Sequence, residues 1–567
     1  MRKQNFSEIL RDAYINTPDK VAIRLLFSTK PDQALTYREL LHQSAIYAQA
    51  LEKAGVQAGE VVILILEHDQ NLVSAFFGAI LHGAIPAIMP FLTEKLLPDQ
   101  YRASLRALFE ITAPAAVITY PQFFEEVRSA SKETCVRALL VTDEIGKQAS
   151  PPSHLNFAQL EGLKRSADDI VLLQHSSGTT GLQKGVALTH QAVFNQIDSY
   201  TNALRLIEED VIVSWLPLYH DMGLIAGFIL PVLTGTPLIL MSPFDWVRAP
   251  YRLMKAMSDY QGTLCWLPNF AYNFCALKVR DRDLEGVDLT SIRAIINCSE
   301  PMYAQSHAIF LQRFQTYGLR REALATCYAM AENVFAVTQA GIEQPVRIDY
   351  IDHKAFTDEQ IARPVSEKNS QAMQMLSAGP SIKGTRLRII DAQGKDLPER
   401  TIGEIALSSN CMLAEYYKRP NLTEKAFLDG WYLTGDQGYL ADGELYVTGR
   451  KKDLIIVGGK NIYPQDLEQL AGEVNGVHPG RVVAFGVYNE RIGTEDVVII
   501  AEASLKTADG QQKESIAAYI RQKVTRGSDI ALRYVHIVER DWLTKTSSGK
   551  IARSANRKKY LEQTSQN

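Results

Sequence analysis

At 567 residues the chain exceeds what one hydrophobic core organises, so several subdomains are expected. Its composition, 46% hydrophobic and 22% charged, is that of a globular enzyme, and a net charge of −4 with only short Lys/Arg runs gives no footing for nucleic acid. Six cysteines lie far apart without C-x-x-C or Cys/His ligand spacing, which excludes a zinc-site reading and points to a reduced, cytoplasmic protein with buried thiols.

The N-terminus carries charge throughout and has no apolar h-region, so no export signal is expected. From Val61, VVILILEHDQNLVSAFFGAILHGAIPAIMP has the strand, helix, strand pattern of a βαβ crossover, and further strands are expected at 116–119 and 139–142. This is a parallel α/β layer. The run 170–173 and the run 186–188 read as two strands clamping a loop, SSGTTGLQKG at 176–185. Thr189 is placed to cap a helix from His190, and 211–216 returns as a strand into LPLYHDMG. The charge-free stretch 222–241 is long enough to suggest a membrane span. Pro231, Gly235 and Pro237 break it into a helix and a strand, so a buried segment and no transmembrane helix is expected. Apolar segments at 262–277 and 294–297 continue the alternation. The stretch between Glu332 and Gly379 is polar, mixed in charge and weakly periodic, and looks inserted at about 343–373. From Leu387 short alternating strands separated by Gly and Asp turns (RLRII, EIALSS, WYLTGD, ELYVTG) suit a β-rich subdomain. GRKKD at 449–453 reads as a hinge before a last region of α+β texture.

The loop 176–185 is a phosphate-cradle candidate. Gly178, Gly181 and Gly185 let the backbone approach an anion, Ser176, Ser177, Thr179 and Thr180 add hydroxyl donors, and Lys184 adds a cation. A Gly/Ser/Thr turn with a stray lysine is the bland alternative. An ordinary P-loop fails twice, because Gln183 stands where a glycine is required and Gly185 where a hydroxyl should meet magnesium.

Seven segments in sequential order resemble the adenylate-forming superfamily of acyl-CoA synthetases, peptide-synthetase adenylation domains and luciferases. They are SSGTTGLQKG, LPLYHDMG, NCSEPM at 297, CYAMAE at 327, WYLTGD at 431, TGRKKDLIIVGGKNIYPQDLE at 448 and TKTSSGKIAR at 544. The resemblance implies a large N-terminal domain (1–448) of layered α/β subdomains plus a β-rich subdomain, a hinge at 449–453, and a small mobile α+β domain at 454–567. It also implies a reaction: acid plus ATP gives acyl-AMP and pyrophosphate, followed by acyl transfer to a thiol. A carboxylate repels the triphosphate it must attack, so such a site needs cations and oriented donors more than a base.

Roles follow by resemblance. The loop from Ser176 through Ser177, Gly178, Thr179, Thr180 and Gly181 to Lys184 would hold the β- and γ-phosphates, with Gln183 standing where the family usually has proline. Tyr328 would stack on adenine, beside Ser299 and Glu300, and Glu332 would ligate Mg²⁺, which favours one or two carboxylates plus phosphates. Asp436 would accept from the ribose hydroxyls, and Arg450 would bind ribose or phosphate. Lys452 occupies the hinge position, His220 the gate beside the carboxylate, and Lys550 would bridge the carboxylate and the α-phosphate. His175 reads as structural. For several of these the residue alone has an ordinary explanation: core packing for Tyr328, a solvated turn for Asp436, an exposed basic tail for Lys550.

WLPNFAYNFCALKV, with Trp266, Asn269 and Phe270, would help line the acyl pocket. With no charge placed for an amino acid, a medium- or long-chain fatty acid is expected. PNFAYNFC, CYAMAEN, NIYPQDLE and the insertion resemble the fatty acyl-AMP ligase branch, where the insertion restricts domain rotation and an acyl carrier protein is the acceptor. VGGKNI and EYYKRPNLTEKAF look closer to acyl-CoA synthetases, so coenzyme A is the alternative. A non-catalytic nucleotide-binding homologue is a further one, against which Lys184, Glu332, Asp436 and Lys550 argue.

Overall fold

Val61–Ile65 is a strand buried along its whole length, as a parallel strand covered by helices on both faces should be. The computed structural model describes residues 4–90, 98–148, 154–176, 184–370, 372–457, 460–489, 494–504, 510–528, 532–546 and 549–564. The helix Gln70–His82 follows, opened by the Asp69 carboxylate, which accepts from the N–H groups of Asn71 and Leu72, and closed by Gly83 at φ 82°. It returns to Ile85–Ile88, parallel to the first strand, so the βαβ expectation holds. Gly78 lies where this helix crosses Tyr37–Lys53. A Cβ there would sit 2.6 Å from the Ser44 carbonyl oxygen, so only glycine permits the approach. Ala116–Thr119 and Ala138–Val141 complete a four-stranded parallel sheet.

A second sheet runs in the order Leu324–Thr326, Ala294–Asn297, Leu264–Leu267, Ile212–Ser214, Leu238–Met241, Val21–Leu26 and Gln33–Thr36. Every neighbouring pair is parallel except the last. The charge-free stretch divides as expected, into a π-helix Met222–Ile229, a short helix Leu230–Thr234 and the strand Leu238–Met241. Gly235 ends the helical part at φ 78°. Among the described residues no helix is long and apolar enough to cross a membrane. A third, small sheet pairs Ile170–Ser176 with Lys184–Thr189 antiparallel and adds Glu415–Tyr416 on the far edge. Thr189 caps His190–Leu204, its hydroxyl accepting from the Ala192 N–H.

These elements belong to one compact unit, Met1–Arg347 with Ala378–Arg386 and Ser408–Gly430; a second comprises Ile348–Ser377, Leu387–Leu407 and Trp431–Asn567. Gly403–Ser409, which lies in the second unit as far as Leu407, forms an antiparallel β-layer with Trp431–Ala441 and Glu444–Arg450 of that unit. The inserted stretch is folded. Ile348–Asp352 pairs antiparallel with Ala372–Leu376, and Ile351, Phe356, Ala362 and Met375 join Tyr439, Tyr446 and Tyr463 in one apolar cluster. The Phe356 and Tyr463 rings lie 5.1 Å apart between centroids. The C-terminal part sets Val477–Asn489, Thr494–Ala503 and Tyr534–Val538 against the helices Pro464–Gly472 and Gly510–Ser528 around a core that includes Ile499, Ile520 and Val524. All six cysteines are free and five are buried. Cys135 is exposed, contrary to the expectation of uniformly buried thiols, because it lies in the turn entering the edge strand Ala138–Val141.

Candidate active site

In an open parallel sheet the strand carboxyl ends release loops to one side, and ligands bind there. Four adjacent strands of the seven-stranded sheet do this with candidate residues. Ile212–Ser214 leads to His220, Leu264–Leu267 to Asn269 and Phe270, Ala294–Asn297 to Ser299 and Glu300, and Leu324–Thr326 to Tyr328 and Glu332. Backbone bonds keep these exits in step: the Cys298 N–H donates to the Leu267 carbonyl and the Cys327 N–H to that of Asn297.

The loop after Thr326 folds back on itself, with the Tyr328 N–H donating to Thr338 Oγ1 at 3.2 Å and the Tyr328 carbonyl accepting from Val337. Tyr328 is buried. Glu332 sits in a 3₁₀ turn, Ala331–Asn333, and its Oε1 accepts a 2.8 Å hydrogen bond from the Tyr416 hydroxyl. On the same tyrosine, Lys184 Nζ lies 4.5 Å from the ring centroid. Lys184 opens its strand at the register position opposite Ser176. The candidate phosphate cation and the candidate metal carboxylate are thus joined through Tyr416, which no sequence motif had singled out. The signal was present only as a tyrosine inside EYYKRPNLTEKAF. Ser177, Gly178, Thr179, Thr180 and Gly181 lie outside the described residues.

Glu332 offers carboxylate oxygens, half-buried and oriented, which suit a hard divalent cation. Among the described residues no cluster of three or more His, Cys, Asp or Glu could cage a metal. The donor set fits a cation shared with phosphate oxygens and water.

Next to this loop, Ser299 adopts φ 70°, a left-handed conformation uncommon for a side-chain-bearing residue, and its Oγ points at Met222 Sδ, 3.9 Å away. Met222 opens the π-helix, a rare form enriched at functional sites. Asp221 caps that helix through the Met222 N–H, and His220 Nδ1 lies 2.6 Å from Asp221 Oδ1. Glu300 Oε2 accepts from the Phe270 N–H at the start of the helix Asn269–Lys278. Of the residues expected to line an acyl pocket, Trp266 is buried and donates from Nε1 to the Tyr200 hydroxyl at 2.8 Å. Asn269 is buried too, its amide spent on Ser306, Asn297 and the Tyr303 N–H. Phe270 is 41% exposed and meets Trp215 and Trp246 edge-on.

In the second unit Asp436 is no solvated turn. It lies within the strand Trp431–Ala441, opposite Arg450 in register, with Arg450 Nε 3.2 Å from Asp436 Oδ1. The carboxylate is mostly buried and the guanidinium half-exposed, an acceptor beside a donor. Lys452 is exposed in the 3₁₀ turn Lys451–Asp453. Lys550 is half-buried in a hairpin turn closed by the Lys545–Ile551 bridge, with Gly549 at φ 85° and the Thr546 N–H donating to the Lys550 carbonyl. Below this turn Arg553 is clamped by Asp453 at 2.6 Å and Glu468 at 2.8 Å, which tie the Lys550 hairpin to the residue following Lys452.

Comparison with known proteins gives the following. Residues 10–417 match the family model described as AMP-binding enzyme. The medium-chain-fatty-acid–[acyl-carrier-protein] ligase JamA of Moorena producens (strain JHB) is 30% identical, covering 94% of this chain and 91% of the relative. A 4-hydroxyphenylalkanoate adenylyltransferase of Mycobacterium marinum is 27% identical over 99% of this chain and 92% of its own. Among solved structures, a chain from a study of fatty acyl-adenylate ligases from E. coli and L. pneumophila superposes with a TM-score of 0.89. It is 25% identical and covers 99% of this chain and 98% of that one.

Proposed function

Since the chain belongs to the AMP-binding enzyme family and is an adenylate-forming ligase, we propose that it activates a medium- or long-chain fatty acid and passes the acyl group to an acyl carrier protein. The observation that carries this reading is the joining of Lys184 and Glu332 through one buried tyrosine beside the sheet's carboxyl ends.

In the first step a carboxylate oxygen of the acid bonds to the α-phosphorus of ATP as the bond to pyrophosphate breaks. In the second the phosphopantetheine thiol, losing its proton, attacks the acyl carbon and AMP leaves. Lys184 and the loop beginning at Ser176 would hold the departing pyrophosphate, while Tyr328, Ser299 and Glu300 border the base. Asp436 would accept from the ribose hydroxyls, with Arg450 alongside. Lys550 would neutralise the clash between the incoming carboxylate and the α-phosphate, which is where cationic stabilisation lowers the barrier most. His220, with Asp221 close beside it, would border the carboxylate. Glu332 would hold Mg²⁺, whose charge offsets that of the phosphate oxygens. The hinge would lie at Lys452, between a large domain 1–448 and a small one 454–567, in a cytoplasmic enzyme.

A carrier protein is favoured over coenzyme A by the inserted stretch. Its Phe356 packs on Tyr463, beyond the hinge position, so rotation there would break an apolar contact. A fatty acid is favoured over an amino acid by the absence of a charged side chain in the segment 266–277, and a 4-hydroxyphenylalkanoate is the second candidate, from the mycobacterial relative. The deciding experiment supplies ATP, Mg²⁺, a graded acid panel and either coenzyme A or a phosphopantetheinylated carrier protein. Thioester on the carrier protein alone is expected. Efficient acyl-CoA formation would move the chain to the synthetase branch.

A further inference from the structure

We infer that Tyr416 is a positioning residue that sets the metal carboxylate and the phosphate-binding lysine relative to one another; the inference rests on the adenylation reading above. Three observations converge on it. Its hydroxyl donates to Glu332 Oε1 at 2.8 Å, which fixes the carboxylate's rotation and leaves Oε2 for a cation. Its ring face lies under the Lys184 ammonium, 4.5 Å from the centroid. The ring itself is only 2% exposed, so the hydroxyl and the face are presented from a fixed body.

The backbone around it supports the same role. Glu415–Tyr416 pairs with Val186 and Ala187 on the strand that Lys184 opens, and the Tyr417 N–H donates to the Gly185 carbonyl. The Ala414 N–H donates to the Ala187 carbonyl, while the Leu413 N–H donates to that of Glu332. The Tyr416 N–H is itself held by Thr423 Oγ1 at 2.9 Å. Five consecutive residues, 413–417, therefore bridge the metal turn and the phosphate strand. A tyrosine packed for volume alone needs neither its hydroxyl on a carboxylate nor a cation on its face. Outer contacts of this kind orient a ligand without touching the metal, and their loss costs roughly 10- to 100-fold in metal affinity or activity.

The two halves of the side chain separate experimentally. Tyr416→Phe keeps the ring and removes the hydroxyl; Tyr416→Leu removes both. Binding of the non-hydrolysable analogue α,β-methylene-ATP to the full-length chain is followed by titration calorimetry across a Mg²⁺ series, with thermal unfolding as the control for folding. Tyr416→Phe is expected to raise the Mg²⁺ concentration for half-maximal enhancement of binding by about tenfold and to leave metal-free nucleotide binding unchanged. Tyr416→Leu should in addition weaken metal-free binding of nucleotide and of pyrophosphate, since Lys184 loses its seat. In a Glu332→Gln background, Tyr416→Phe should have no further effect on the Mg²⁺ dependence. A Tyr416→Phe protein that unfolds like the wild type and keeps its Mg²⁺ dependence within twofold overturns the inference while leaving adenylation standing. Full additivity in the Glu332→Gln background also overturns it. Wild-type protein that binds no nucleotide at any Mg²⁺ concentration removes the adenylation reading and this inference together.

Discussion

Replacing Arg553 by methionine tests how the Lys550 turn is anchored. The guanidinium donates to Asp453 Oδ2 at 2.6 Å, to both Glu468 oxygens at 2.8 and 3.0 Å, and from Nε to the Ala484 carbonyl at 2.9 Å. Burial opposes its charge, and the Glu468 and Asp453 carboxylates outweigh that and push its pKa up. Methionine fills the volume but strands two carboxylates. Removing one partner of a fully buried pair costs roughly 3–5 kcal/mol. Here all three side chains are 20% exposed, so water relieves part of the cost and about 3 kcal/mol is expected. Arg553→Lys keeps the charge without the fork and should lose about half of that. Urea unfolding reports the total, and hydrogen exchange should show the lost protection centred on Val477–Asn489, which carries Ala484. The loss should reach the Lys550 hairpin as well. Asn556, in the helix that Arg553 opens, accepts from the Thr544 N–H and donates to the Thr544 carbonyl, closing that hairpin at its base. In Asp453→Asn, Arg553→Met should cost clearly less, since one stranded charge is already gone. A loss below about 1 kcal/mol in Arg553→Met would refute this reasoning, because surface pairs give that much.

Lys550→Ala should depress acid-dependent pyrophosphate exchange far more than tenfold, a factor worth about 1.4 kcal/mol of barrier, while transfer from supplied acyl-AMP stays largely intact; exchange surviving within tenfold counts against the assignment. Asp436→Asn keeps size but weakens the acceptor, and should raise KM for ATP about tenfold with little effect on KM for the acid, as read from initial rates; equal changes in both would show a general structural fault. Burial holds four histidines neutral, lowering His190 to about 3 and His68, His175 and His307 to about 4. The unfolded chain takes up these protons first, so their stability contribution is complete above the ordinary value near 6.5 and is lost as pH falls from there toward 4. Unfolding free energy should drop by up to about 5 kcal/mol per pH unit in that window. His190→Gln should remove about a quarter of the slope, since a neutral amide can still accept from the Phe6 N–H now held by Nδ1; an unchanged slope would show that burial of these rings is not its source.

The parallel strands were legible because strands buried on both faces must be continuous apolar runs, as at Val61–Ile65 and Leu264–Leu267. Motif order likewise brought Tyr328 and Glu332 to one loop. What the sequence hid was long-range. Taken alone, Asp436 could be a solvated turn, because TGD is turn chemistry; the strand Trp431–Ala441 runs through it and sets it opposite Arg450, a pairing no local pattern shows. The inserted stretch read as only weakly periodic because its core contributors, Ile351, Phe356, Ala362 and Met375, fit no single period; their partners, Tyr439 and Tyr463, lie far along the chain. Resemblance places Trp266 and Asn269 at the acyl pocket, and the sequence does not show that their polar atoms are held by Tyr200, Ser306 and Asn297. Tyr416 illustrates the same limit: a lone tyrosine is core by default, and only the fold puts Lys184 and Glu332 on it.

Oxygen labelling tests the central chemistry most directly. With a fatty acid carrying ¹⁸O in both carboxylate positions, one turnover to thioester should leave a single ¹⁸O in the AMP released and none in pyrophosphate, because the acid's oxygen bonds to the α-phosphorus and stays there. Unlabelled AMP, or label in the pyrophosphate, would contradict an acyl-adenylate.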